Sequence, residues 1–472
     1  MVLVAIAMVA IIAMAALSID VITLYLAREE AQRSADTAAL AAARVISVSG
    51  MTGDPNDSGF SWQAICGVGG SATQAATAVA TQSAVAGSVA GVTVTYSAGG
   101  QSGTDCSSFT RGGAFSVNPM VTVQITRTSL PTFFSRIWGN AGNNVSATAT
   151  AEALNPSASD ANGNNGATGT VTPVLPSCVK PWVVPNLDPL NLPGCTNNCA
   201  AFVSTADGTI KHPGISTVGN GNTGVIGENF WLVPDCSPAH PGTCHLHING
   251  TLQPQANYPA GYAGPPTSAN LLYVPGLVGN PVVAIPSCAT GDPYEEAVGG
   301  CDSPINYQCG VQNENTVDLT TENPTLSGDT TNGALCLTNQ ADVADLTEST
   351  GQDYFSPFEK PNAYPFQILA GSRNALGSGF AGTPISTSTS IVSLPIYDNG
   401  TIGNPIRINS GTTTNVTFVG FLQVFINAVD GNGNVNVTVL NVSGCGNGTS
   451  GNVGSTPVTG TSPVPIRLIT PP

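Results

Sequence analysis

Residues 2–17, "VLVAIAMVAIIAMAAL", carry neither charge nor proline, and they run directly into residues 18–43, "SIDVITLYLAREEAQRSADTAALAAA". About 20 helical residues cross a hydrocarbon core of about 30 Å, so Val2 to about Ile22 suffices. Asp20 then lies in the final turn of the span, close enough to the interface to be hydrated. Tyr25 and Arg28 follow at the depth where aromatic and cationic anchors collect. The helical pattern does not stop there. No glycine or proline occurs between Val2 and Ser49, and Ala31, Ala35, Ala38, Ala39 and Ala42 recur at helical spacing as one narrow stripe. Glu29 stands four residues before Arg33, a favourable order for an ion pair on a helix. These features predict one helix to about Ser47, on the order of 70 Å long at about 1.5 Å per residue. Half of it would project from the bilayer as a stalk, its alanine stripe open to close approach by another element.

The same residues carry a resemblance. An apolar span, Asp20, Tyr25, Arg28, Gln32 and then "ADTAALAAA" from Ala35 to Ala43 resemble the N-terminal segment of TadG-like proteins of the tight-adherence (Flp) pilus system. The likeness covers about the first fifty residues. It implies a non-catalytic, membrane-anchored component of pilus assembly or of a surface adhesion apparatus, with membrane lipid and other pilus-assembly proteins as partners. Asp20, Tyr25, Arg28, Gln32 and Asp36 are then the residues that face lipid or a partner helix. Asp20 either pairs with a cation on a neighbouring helix or caps the span at the interface. The basic residues that usually precede the span in the family are missing, so orientation is not read from flanking charge. Some TadG-like proteins add a von Willebrand A-type domain with a DxSxS metal motif, which does not occur here. Competing readings of the span are a secretory signal cut after the small residues Ala13 to Ala15, and the core helix of a soluble protein.

Composition narrows the classes. Only 8% of the residues are charged, against 54 glycines and 35 prolines, which predicts short strands, tight turns and many loops. The net charge is −16, with three lysines (Lys180, Lys211 and Lys360) and no basic run. Nucleic-acid binding needs clustered cations to displace counterions, and a polybasic lipid patch needs them too; both are excluded. The twelve cysteines are scattered through Gly/Pro-rich sequence and read as disulfides formed in an oxidising compartment, with metal binding as the alternative for some. Candidates for pairing include Cys66, Cys106, Cys195, Cys199, Cys236, Cys244, Cys288 and Cys301. This places the bulk of the chain outside the cytoplasm, behind a single pass through the inner membrane.

The expected fold class is α+β with a β-rich C-terminal region. Residues 1–49 form the span and its extension. Residues 50–154 form a small α+β unit, with a helix over 71–87, strands over 91–96, 120–128 and 144–153, and a helix start at Pro131 in "PTFFSRIWG". That order is similar to the extracytoplasmic part of TadE/TadG-like and pseudopilin-like proteins. Cys66 and Cys106 are the only thiols of this unit and so are candidate partners. Residues 155–173 hold almost no large apolar side chain and read as a flexible linker. Residues 174–472 read as a disulfide-containing β domain, sandwich or barrel, with an acidic loop insertion near 310–360. Within it, "FLQVFINAVDGNGNVNVTVLNV" (421–442) is a hairpin turning at Asp430–Gly431.

Few constellations carry chemistry. "CSPAHPGTCHLHING" (236–250) gathers His240, His245 and His247 beside Cys236 and Cys244; His245 and His247, two apart on a strand, share a face and could hold zinc. A Cys236–Cys244 disulfide closing a proline loop explains the same residues. A secreted β-rich metal-binding or hydrolytic protein built on this 236–247 cluster is the alternative function. "DGNGN" (430–434) offers alternate oxygens as a calcium loop does, but lacks the downstream glutamate and is explained as a turn. Glu295 and Glu296 read as a solvated strand edge. Two GxGxxG matches open no helix after a strand, and no GxSxG, HExxH or phosphate-binding loop is present. No cofactor is implied.

Overall fold

A computed structural model describes residues 2–53, 62–98, 100–106, 109, 118–132, 134, 142–155, 174–190, 201–205, 208–212, 216–217, 222–234, 269–278, 288–301, 307–309, 316–318, 326–343, 350–355, 366–398, 400–401, 404–405, 413–445, 458–460 and 462–470. Helix α1 runs unbroken over Val2–Val48, as the absence of glycine and proline requires. Its two halves live in different surroundings. From Leu3 to Leu26 the large apolar side chains other than Leu24 are open, whereas Ala27, Ala31, Ala35, Ala38, Ala39, Ala42, Ala43 and Ile46 are buried.

The second half of α1 is therefore no free stalk. It is the core helix of the α+β unit, packed against helix α2 (Ser71–Gln82) and an antiparallel sheet. The sheet holds β1 (Gly91–Ala98), β2 (Gln101–Gly103), β3 (Met120–Leu130) and β4 (Asn143–Ala153). Strand alternation aims Val121, Val123 and Ile125 of β3, and Val145, Ala147 and Ala149 of β4, at the helix. Ala72, Ala76 and Ala80 give α2 a matching small-residue stripe. Helix and sheet thus approach closely, and Gln32 reaches the Thr148 carbonyl of β4 (3.3 Å). Cys66 and Cys106 are bonded, with Cα atoms 5.6 Å apart.

Beyond this unit the chain closes a six-stranded barrel. Its strands are β5 (Trp182–Pro185), β6 (Asn229–Pro234), β7 (Ala269–Pro275), β8 (Ile391–Tyr397), β9 (Phe418–Val429) and β10 (Val435–Gly444). Around the barrel the order is β7-β5-β8-β9-β10-β6. The pairs β5–β8 and β6–β7 are parallel and the rest antiparallel. Closure removes the sheet edges that an open form would expose. The hairpin β9–β10 turns at Asp430, whose carboxylate accepts the N–H groups of Asn432 (2.8 Å) and Asn434 (3.0 Å). The turn uses the oxygens that a calcium loop would have offered.

Both hairpin strands are buried along their whole length, so their polar alternates cannot face water and bond one another instead. Asn427 donates to Asn436 Oδ1 and Thr438 Oγ1 (both 2.9 Å), and Asn229 donates to Asn436 (2.8 Å).

Two stretches differ from the sequence reading. The segment read as a loop insertion near 310–360 contains a 13-residue helix, α4 (Leu326–Thr338), whose Thr331 hydroxyl donates to the Asp430 carbonyl (2.8 Å). Glu295 and Glu296 lie on helix α3 (Pro293–Gly299) rather than on a strand edge. Asp292 caps that helix, accepting from the N–H groups of Tyr294 (2.9 Å) and Glu295 (3.0 Å), and Pro293 suits its first turn. The expected linker beyond Asn155 and the helix over "SRIWG" lie outside the described residues.

The two units are joined through both ends of the described chain. Val48, at the end of α1, belongs to the barrel core. Asn441 of β10 donates to the Ser47 carbonyl and to Gln423 Oε1 (2.8 Å), and Gly50 turns beside Ile226 and Phe366 with φ +77°. In the other direction, β11 (Ile466–Ile469) leaves the C-terminal region and pairs antiparallel with β4, matching Ile466 to Ala153 and Ile469 to Thr150. The first sheet thus takes its fifth strand from residues that the sequence places with the β domain.

Ala38 is fully buried and Thr37 is exposed. Overpacking costs about 1–3 kcal/mol, so Ala38→Leu is expected to lower the unfolding free energy of the detergent-solubilised chain, measured by denaturant titration, by that amount. Thr37→Leu, on the open face, is expected to change it by less than about 0.5 kcal/mol.

Candidate functional site

The sequence candidates on α1 separate into bonded and open residues. Asp20 is 4% exposed, and both its carboxylate oxygens accept the backbone N–H of Phe134, at 3.1 and 3.4 Å. Gln32 donates to Asp36 Oδ1 (2.8 Å) one turn on as well as to Thr148. Glu29 and Arg33 form the expected pair at 2.6 Å on the exposed surface, which adds only a few tenths of a kcal/mol, about 0.3–0.5, to the helix. Glu30 accepts the N–H of Ala86 (2.7 Å), tying the turn after α2 to the same level of α1. Tyr25, at 72% exposed, and Arg28 point away from the unit. Of the five residues named from sequence, then, Tyr25, Arg28 and Gln32 are exposed, and Gln32 is bonded within the unit.

The apolar half of α1 has the composition of a membrane span: it is the one helix among the described residues that is long and apolar enough to cross. Leu3, Val4, Ile6, Met8, Val9, Ile11 and Ile12 are each more than half exposed. An exposed apolar band of this size marks a membrane or protein contact.

Among the described residues of the barrel domain, three further disulfides close the chain: Cys178–Cys301, Cys288–Cys336 and Cys309–Cys445, with Cα separations of 4.9, 5.8 and 5.2 Å. Of the sequence candidates, Cys288 and Cys301 are thus placed, each with a partner distant in sequence. His240, His245, His247, Cys195, Cys199, Cys236 and Cys244 lie outside the described residues. Among the described residues no group of three or more His, Cys, Asp and Glu side chains is arranged to hold a metal.

Two of the buried ionisable groups that the sequence left unmarked are Lys180 and Glu228. Lys180 is fully buried, and its Nζ donates to the carbonyls of Val298 (2.8 Å) and Gly300. These are carbonyls at the C-terminal end of α3, which the helix itself leaves unsatisfied. Lys180 acts as a cap, beside the Cys178–Cys301 bond that holds the same two segments. Burial pulls its pKa down to about 7. A lysine set in "CVKPWVVP", one of three in the whole chain, was the available signal.

Glu228, just before β6, is the second. Burial, and then the charge of Asp188 and a hydrogen bond with it, push the Glu228 carboxyl well above its usual range. Asp188 also accepts the N–H of Leu190 (3.0 Å) and stands 3.8 Å from the half-buried His212 ring. The pair bridges the ends of β5 and β6. A neutral acid hydrogen-bonded to a buried carboxylate gives each group a partner at the closure of the barrel, a structural task.

Residues 1–45 match the family model described as putative Flp pilus-assembly TadE/G-like. The matched segment is nearly all of α1, both the open apolar half and most of the buried alanine stripe. No curated protein and no solved structure matches the chain.

Because the folded-state pKa of Glu228 is raised above about 4.5, its contribution to stability is complete below that pH and is lost as pH rises through the folded value. Glu228→Gln, neutral at every pH, is expected to flatten that alkaline decline in unfolding free energy; a decline as steep as in the parent chain would contradict the assignment.

Proposed function

We propose that the protein is a non-catalytic component of Flp (tight-adherence) pilus assembly, anchored by a single pass through the inner membrane with its two folded units outside the cytoplasm. The observation that carries this reading is the division of one TadE/G-like helix into an open apolar half and a buried alanine half. Among the described residues the first half is bare except on the face of Ala16, Asp20 and Leu24, and suits lipid; the second is built into a folded unit and holds that unit at the membrane. Four disulfides among the described residues support an oxidising compartment for that part of the chain. The buried ionisable groups have structural partners, which supports a binding or scaffolding role over a catalytic one. Partners from the pilus-assembly apparatus would meet α1 at Tyr25 and Arg28, since Asp20, Gln32 and Asp36 are engaged within the chain.

Alkaline carbonate extraction tests the anchor. The full chain is expected to stay with the membrane, and a chain lacking residues 2–26 to be released; release of the full chain would refute the reading. A photo-crosslinking residue at Tyr25 is expected to yield adducts with other pilus-assembly proteins, and a crosslinking pattern of lipid alone would remove the partner role assigned to that position.

A further inference from the structure

Asp20 interrupts an apolar stretch, and a carboxylate in that setting must find donors or stay near water. Its donor comes from 114 residues away, from the backbone of Phe134 in the connection that follows β3. The cover is not confined to one residue. Ala16, one turn earlier on the same face, is 7% exposed, and Leu24, Ala27 and Ala31 continue that face upward into the core of the α+β unit. Around the rest of the helix at the same level, Leu17, Ile19, Val21, Ile22 and Leu26 stay open. One face of α1 is thus protein-covered well below the point where its other faces are still apolar and bare.

Depth along the helix decides what surrounds that cover. Arg28 is the first charged side chain above the open apolar band, and Tyr25 sits just beneath it. Asp20 is five residues below Tyr25, about 7.5 Å at about 1.5 Å per residue. If the lipid boundary lay below Asp20, then Val21, Ile22, Tyr25 and Leu26 would stand in water as a bare apolar collar. If it lies at Tyr25, the usual depth of an interfacial aromatic, then Asp20 and the chain bonded to it are inside the boundary.

We propose that Phe134 is a second point of membrane contact: it enters the acyl boundary of the bilayer beside α1, on the face that carries Asp20. Its occupant surface is lipid, recognised by apolar contact rather than by charge. The bond to Asp20 serves both partners there, giving the carboxylate a donor and the Phe134 N–H an acceptor where water is scarce. With α1 and Phe134 both in the interface, the α+β unit is held against the membrane in a single rotational setting. This rests on the reading of α1 as a span.

Full-length chain reconstituted in phosphatidylcholine vesicles provides the test. With Trp138→Phe as background, the tryptophans of the described residues, Trp62, Trp182 and Trp231, are buried in protein. Adding Phe134→Trp is expected to give emission that is lost when bromines are placed near the headgroup end of the acyl chains, and lost less when they are placed near the methyl ends. Ile12→Trp, in mid-span, is the control and is expected to show the reverse order. If the Ile12→Trp chain is quenched and the Phe134→Trp chain is not, this proposal fails and the anchor stands. If neither is quenched by lipid bromine, the span reading fails and this proposal with it. Should Phe134→Trp not fold, 4-fluorophenylalanine at position 134 replaces it. Its fluorine line is expected to broaden more with lipid-dissolved oxygen than with an aqueous nickel chelate; the opposite order overturns the proposal.

Discussion

Close approach between α1 and the sheet behind it is the constraint on which the rest of the molecule depends. Ala27, Ala31, Ala35, Ala38, Ala39, Ala42 and Ala43 present no more than a methyl group each, and all are buried. A face of larger residues would push the helix off β3 and β4. The gap would then break the bond from Gln32 to Thr148 and move Asp20 out of reach of Phe134. Alanine also costs nothing in helix propensity, so the sequence keeps the helix strong while making its packing face flat. The same stripe that shapes this contact ends in Ile46 and Val48, where side chains grow larger and the helix passes from one core to the next.

That passage makes α1 and the barrel parts of one structure. Asn441 meets the terminal turn of α1 through the Ser47 carbonyl, and Gln423 beneath it donates to Ser462 (2.5 Å), which leads into β11. Arg467 of β11 pairs with Glu152 of β4. The buried polar face of the hairpin is therefore the seam where helix end, barrel wall and returning strand meet. Such a network stabilises only when every member is satisfied, which ties the geometry of each unit to that of the other.

Local chemistry made part of this legible. The length of α1, the helix at Ser71, the strand alternation of β1, β3 and β4, the turn at Asp430 and the pairing of Cys66 with Cys106 all follow from near neighbours or from there being no other candidate. The barrel was legible only as one of two β architectures, because closure rests on the parallel β6–β7 and β5–β8 contacts, which leave no mark on either strand alone. The same holds for Lys180, whose partners at Val298 and Gly300 lie 118 and 120 residues on. Asp20 was legible as an acid near the interface; that its donor would be a backbone N–H of Phe134 was not, since any N–H would serve. The helix at Pro293 was legible in principle, as Asp292–Pro293 is a start signal that a strand reading passed over.

The returning strand has a consequence for how the molecule comes into being. Arg467 and Glu152 are 315 residues apart in the chain yet adjacent in one sheet. Until β11 arrives, β4 is an unguarded edge, able to recruit any extended segment that drifts by. Pairings across so long a loop form late. On the proposed membrane reading, a chain threaded outward with α1 already lodged would wait, half-assembled, for β11 to cross before the sheet packed on that helix could be finished.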